Sequence, residues 1–202
     1  MGAQATGEAL GPWDWPRTFI ARGAAPLTVQ HLRRQPVQGR SGRLHCFVLD
    51  CSASMATSGA LARAKGVLLA LMDEAYRHRD HVALVCFAGE QVQLRLPPRK
   101  AGAWNDEWVA PIAGGGGTPL ALGVDRAGQL LAQHCGTSAR QGWLWLLTDA
   151  RTREQPPRPA GAHEACIIDF DGGGRVALHR ARVLAAQWQS RYLPADAWHQ
   201  KQ

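Results

Sequence analysis

The sequence has no apolar stretch long enough to cross a bilayer. Its longest apolar runs, such as Val82–Ala88 and Trp143–Leu147, are strand-sized, whereas a spanning helix takes about 20 residues. Residues 1–10 carry neither a basic start nor a long apolar core, so no secretory leader is expected and a cytoplasmic location follows as the default. The five cysteines are an odd number and none is spaced CxxC, which argues against a disulfide framework or a zinc site. Cys46, Cys86 and Cys166 each lie inside an apolar run and read as small buried hydrophobes. The eight histidines include no HxxxH pair, and none is assigned to a metal. Neither GxxxxGK[ST] nor GxSxG occurs, so ATP hydrolysis and an esterase-type serine nucleophile are not expected of this chain.

What is present suits one globular domain. At 202 residues with a hydrophobic fraction of 46%, the chain is long enough for one full-sized core and short for two. The net charge is +7, and residues 1–43 hold six arginines against Glu8 and Asp14. That balance suits an acidic protein partner, and equally a solvated arginine-rich surface. Nucleic acid ranks third, because no basic-aromatic repeat or nucleic-acid motif accompanies the charge. Residues 1–42 are rich in Gly, Pro and Arg without a sustained period and read as an irregular basic arm. In it Trp13, Trp15, Phe19 and Ile20 are expected to pin part of the arm to the domain, since exposed aromatics at that density are costly. Residues 43–195 read as the domain and 196–202 as a tail.

Within the domain, Leu44–Asp50, Val82–Phe87, Gly142–Thr148 and Ala165–Phe170 are short apolar runs that read as strands buried on both faces. Between them lie helical stripes. Leu61, Ala64, Leu68, Met72 and Ala75 share one face over residues 59–78; Leu120, Val124, Ala127 and Leu131 do so over 118–134; Ala177, Ala181, Leu184 and Trp188 do so over 175–189. Gln91–Leu96 alternates polar and apolar residues after Gly89-Glu90, as an edge strand of a hairpin does, and Pro97-Pro98 is expected to end it. A short helix around Trp104–Val109, a turn at Gly114–Gly117 and a brief edge strand at Tyr192-Leu193 complete the expectation. Buried strands alternating with amphipathic helices predict an α/β fold. Its sheet is open, Rossmann-like and mostly parallel, with one antiparallel edge strand and helices on both faces. Sites in such sheets form at the carboxyl ends of the strands, where the winding reverses.

Three polar clusters fall at that edge. Asp50-Cys51-Ser52-Ala53-Ser54 sets a carboxylate and two hydroxyls at alternate positions after a strand, so that all three oxygens can face one point. Thr118 follows four glycines and adds a hydroxyl; Asp149 adds a second carboxylate after a neighbouring strand. An oxygen-only set with two carboxylates suits a hard cation, Mg²⁺ with Mn²⁺ as the alternative, leaving at least one position open for water or a partner's carboxylate. The plain alternative is that Ser52 or Ser54 caps the next helix while the two aspartates ionise in loops.

The strings DCSASM, GGGGTPL and TDAR resemble the three parts of the metal-ion-dependent adhesion site of von Willebrand factor A domains. The resemblance implies Ser52, Ser54 and Thr118 as hydroxyl ligands, with Asp50 and Asp149 as carboxylates that often act through water. Ala53 stands where many members have glycine, and Cys51 is unusual and is expected to point inward. LHCFVLDCSASM, ALARAKGVLLALMDEAYRHRDHVALVCFAGEQVQLRLPP, GGGGTPLALGV and LLTDAR are similar, more narrowly, to the A domain of the magnesium chelatase D subunit and its cobalt-chelatase relatives. Trp15-Pro16-Arg17-Thr18 and His31-Leu32-Arg33 resemble the linker before that domain. The likeness implies a non-catalytic module working beside a separate AAA+ ATPase subunit, of the magnesium chelatase I type, and a large chelatase subunit that inserts Mg²⁺ or Co²⁺ into a tetrapyrrole of chlorophyll or cobalamin synthesis. No membrane partner is implied. An adaptor for another AAA+ ATPase is the alternative. Enzymatic use of Ser52, or of Asp169 with Asp171, ranks last, since Asp-Gly after a strand is more often a turn.

Overall fold

Eight residues, Arg43–Asp50, form the central strand β1, and all but the first are buried. A strand without a polar face must be covered on both sides, and the computed structural model shows how. It describes residues 15–23, 25–33, 42–102, 118–136, 140–172 and 177–197; the expected Trp104–Val109 helix and Gly114–Gly117 turn lie outside these. The chain divides into two compact units, Met1–Arg40 and Ser41–Gln202.

In the second unit β1 is followed by α2 (Ala53–Thr57), α3 (Ala60–Arg77), β2 (His81–Ala88), β3 (Gln91–Lys100), α4 (Leu120–Cys135), β4 (Gln141–Thr148), β5 (Glu164–Asp169), α5 (Arg180–Gln187) and β6 (Arg191–Pro194). The six strands make one sheet in the order β3-β2-β1-β4-β5-β6. Only β3 is antiparallel to its neighbour. The chain winds outward from β1 through β2 to β3, then returns to the other side of β1 and winds out through β4, β5 and β6. The winding therefore reverses between β1 and β4.

Alternation along the strands feeds two cores. Phe47 and Leu49 of β1 pack with Ala64, Leu68 and Met72 of α3 on one face. Cys46 and Val48 pack with Val124, Ala127 and Leu131 of α4 and with Ala181, Leu184 and Trp188 of α5 on the other. Each fully buried Val, Leu, Phe or Met among them contributes roughly 1.5–3 kcal/mol. All five cysteines are free and buried. At the amino end of the sheet a polar relay is locked into the first face. His45 Nε2 lies 3.2 Å from Asp80 Oδ2, Trp145 Nε1 donates to His45 Nδ1 at 3.0 Å, and the Arg43 amide donates to Asp80 Oδ1 at 3.0 Å. Since Nδ1 accepts, Nε2 carries the proton and the ring is neutral. Burial lowers the His45 pKa, against the pull of Asp80.

Three expectations need correction. Pro97-Pro98 does not end β3, which runs to Lys100. The pairing register shifts between Val82↔Arg99 and Leu84↔Leu96, so the two prolines fall in an irregularity opposite Ala83. A missing N–H is tolerated at such a place on an edge strand. The last helix starts at Arg180 rather than near Arg175, because His179 takes a left-handed conformation with φ 53°, and Ala177 precedes the helix. The arm is not wholly irregular: α1 spans Trp15–Arg22 and a 3₁₀ turn spans Val29–His31. They are tied by the Arg33 amide donating to the Thr18 hydroxyl at 2.9 Å. The brief edge strand at Tyr192-Leu193 is present as β6, parallel to β5. No helix among the described residues is long and apolar enough to cross a membrane.

Candidate metal centre

Strands β1 and β4 run parallel in register, with Leu49 opposite Leu147, so their last residues Asp50 and Thr148 stand side by side. Both follow the parity of Val48 and Leu146 and face the α4 side of the sheet. The Asp50 carboxylate is fully buried. Its Oδ1 accepts the Ser52 amide at 2.9 Å and its Oδ2 accepts the Thr148 hydroxyl at 2.6 Å. The Thr148 hydroxyl accepts the Ala150 amide in turn at 2.8 Å. Among the described residues no lysine or arginine pairs with Asp50. Burial pushes its pKa up to about 6, with the charge of Asp149 adding to the rise, while the Thr148 and Ser52 hydrogen bonds oppose it.

Ser52 occupies the N-cap of α2, yet its hydroxyl makes no capping bond. It lies 3.1 Å from the Ser54 hydroxyl instead. The helix-cap alternative is therefore not what this side chain does: two hydroxyls that a cap would occupy are turned toward one another, beside a buried carboxylate. Cys51, between Asp50 and Ser52, points inward as expected. It is 8% exposed within the α3-side core, and its thiol lies 3.9 Å from the Leu49 carbonyl. Hydrogen bonding of the Cys86 thiol to this neighbour, with burial, pushes the Cys86 pKa far up.

Asp149 follows β4 and is 2% exposed. Its Oδ1 accepts the Arg151 amide at 3.1 Å, and Arg151 Nε lies 3.9 Å from its Oδ2. Thr118 stands half-buried two residues before α4, with its carbonyl accepting the Leu120 amide at 2.8 Å. Its hydroxyl shares no hydrogen bond with the other four residues among the described ones. Asp50, Ser52 and Ser54 thus form one hydrogen-bonded run, Asp149 lies within electrostatic reach of Asp50, and Thr118 is placed by the start of α4. Among the described residues no three of His, Cys, Asp and Glu gather as a ligand set, so an ion here would depend on hydroxyl oxygens. Two buried carboxylates and three hydroxyls, all oxygen, fit a hard cation in the Mg²⁺ class.

Sequence reasoning missed Thr148 and Arg151, and weighed Asp171 only as an acid–base partner of Asp169. Thr148 was legible as a hydroxyl two residues beyond Leu146 on the same face, but only the register sets it against Asp50. Asp171 is engaged by an arginine and by backbone amides. It accepts Arg151 Nη2 at 2.6 Å and the amides of Leu178 and His179. Asp169 accepts the Asp171 amide at 2.8 Å and the Tyr192 hydroxyl at 2.7 Å. Burial raises the Asp169 pKa, and these two bonds oppose the rise.

A family model, the von Willebrand factor type A domain, matches residues 46–151, just over half of the chain. The chain belongs to this family. Its A domain is similar to an uncharacterized protein of Mycobacterium tuberculosis, 35% identical over 78% of this chain and 25% of that one. It is similar as well to the magnesium-chelatase 60 kDa subunit of Cereibacter sphaeroides, 36% identical over 71% and 26%, and to the magnesium-chelatase 67 kDa subunit of Heliobacterium mobile, 34% identical over 62% and 19%. The chain spans no more than about a quarter of the length of these relatives. Among solved structures, the pilus adhesin SpaC of Lactobacillus rhamnosus shares the fold, with a TM-score of 0.52 at 16% identity, covering 81% of this chain and 29% of the adhesin.

Proposed function

We propose that this A domain is a non-catalytic docking module that binds one Mg²⁺ through Asp50, Ser52, Ser54, Thr118 and Asp149, and works beside a separate AAA+ ATPase in a chelatase-type complex. The observation that carries the reading is the buried Asp50 carboxylate, held by hydroxyl and amide donors with no basic side chain among the described residues to neutralise it. A buried anion left in that state is costly, and a cation at the strand ends removes the cost. The Ser52 and Ser54 hydroxyls, free of capping duty, supply further oxygens on the same side. Thr148 fixes the Asp50 carboxylate, and the Arg151 amide fixes that of Asp149. A bound cation with an open position would accept a carboxylate from a partner.

The likeness to magnesium-chelatase subunits from two bacteria supports the chelatase setting. The ATPase and the large subunit that handles the tetrapyrrole would be the partners. Calorimetric titration with Mg²⁺ tests the site. Wild type should bind one ion and Asp50→Ala none, with the fold retained by circular dichroism. Unchanged affinity in Asp50→Ala would refute the assignment. Capture of partners from the native cell, with and without chelator, tests the setting. An AAA+ ATPase held only in the absence of chelator is expected, and recovery of an ATPase unrelated to a chelatase would favour the adaptor reading.

A further inference from the structure

Strand ends β4 and β5 are adjacent, with Thr148 opposite Asp169, and one side chain crosses the gap beyond them. Arg151 Nη2 is bonded to Asp171 Oδ1 at 2.6 Å, while its Nε stands 3.9 Å from Asp149 Oδ2. The two contacts are unequal. The first is a short charge-assisted hydrogen bond to a carboxylate that is 2% exposed. The second is an ion pair beyond hydrogen-bond reach. Of the two carboxylates, Asp171 therefore holds the guanidinium more tightly than Asp149 does. Asp149 does not need it for orientation, because the Arg151 backbone amide holds Oδ1.

Asp171 passes the contact on. Its Oδ2 accepts the amides of Leu178 and His179, the two residues that lead into α5. His179 is held there at φ 53°, a conformation costly for a residue with a side chain. A second tie runs the same way: Arg180 Nη1 donates to the Thr152 carbonyl at 2.6 Å. The loop that carries Asp149 is thus tied twice to the start of α5.

We propose that Arg151 is a resident counter-ion that regulates the cation site and couples its occupancy to the start of α5. The proposal rests on the Mg²⁺ site assigned above. Before the ion arrives, the guanidinium offsets part of the Asp149 charge. A divalent cation competes for the same carboxylate and repels Arg151, which shifts from Asp149 toward Asp171 and reloads the bonds that the Leu178 and His179 amides donate to Asp171.

The test is a calorimetric Mg²⁺ titration of the full chain as wild type, Arg151→Gln, Arg151→Lys and Asp50→Asn, with amide exchange read at Leu178 and His179. Arg151→Gln should bind Mg²⁺ roughly tenfold more tightly, because a competing charge a few ångströms away is removed. Arg151→Lys, which keeps the charge, should stay within about threefold of wild type. Adding Mg²⁺ should change exchange at Leu178 and His179 in wild type and leave it unchanged in Arg151→Gln. Equal or weaker Mg²⁺ binding by Arg151→Gln, with Asp50→Asn binding none, overturns the proposal and leaves the site standing. The same gain in Arg151→Lys as in Arg151→Gln overturns it too, because charge is then not the cause. Mg²⁺ binding that survives Asp50→Asn overturns the site and the proposal together.

Discussion

Replacing Asp50 by asparagine should stabilise this protein in the absence of metal and abolish its response to metal. The carboxylate is fully buried, and its pKa is raised from 3.8 to about 6. A folded pKa above the unfolded one gives stability that is fully present below the unfolded value and is lost as pH rises through the folded one. At about pH 7.5 the ionised group therefore costs about 3 kcal/mol relative to the unfolded chain, at 1.36 kcal/mol per pKa unit. Asparagine removes the charge, keeps one acceptor and turns the other into a donor. The Ser52 amide keeps its partner, while the Thr148 hydroxyl must give up its bond to Oδ2, a loss of about 1 kcal/mol. The net gain is about 2 kcal/mol, which for a chain of this length raises Tm by roughly 4–8 °C.

The assay is thermal unfolding in EDTA and in Mg²⁺ across pH. In EDTA the gap between Asp50→Asn and wild type should be full at about pH 7.5 and close as pH falls through about 6 toward 4. In Mg²⁺ wild type should gain stability as the ion binds the native state, and the variant should not. Taking the difference between the two proteins cancels other titrating groups, including His45, whose effect has the opposite sign. A variant less stable than wild type in EDTA at neutral pH, or a gap that does not change with pH, would refute the reasoning.

His45 supplies the second expectation. Burial holds its folded pKa below the ordinary histidine value of 6.5, so its contribution is present above pH 6.5 and is lost as pH falls below it. Urea unfolding of wild type and His45→Gln should show wild type losing ground to the variant on the acid side, where protonation of Nδ1 breaks the bond from Trp145. Gln189, exposed after the end of α5, holds φ 49°. Glycine adopts that conformation without strain, and Gln189→Gly should raise stability by about 1 kcal/mol, seen as a higher urea midpoint with an unchanged slope.

The plan of the molecule was legible in the sequence because the central strands have no polar face. Leu44–Asp50 and Val82–Phe87 admit only a doubly covered sheet, and the helical stripes show what covers it. The oxygen-bearing residues at strand ends were legible for the same reason: once β1 and β4 are strands, Asp50 and Asp149 lie at their carboxyl ends. Chain-local signals misled where a distant contact decided the outcome. The prolines in β3 are accommodated by slack in the pairing with β2. The start of α5 is set by Asp171 taking the amides of Leu178 and His179, which no helical period encodes.

The sequence by itself determined the α/β class, the covered strands and which oxygens stand at their ends, because burial pattern and residue type are local and periodic. The tertiary structure alone decided that Thr148 grips Asp50, that the Ser52 hydroxyl turns from its cap toward Ser54, and that Arg151 spans Asp149 and Asp171. Those pairings join residues as much as 98 positions apart, and they follow from strand register and loop closure, which exist only once the sheet has formed.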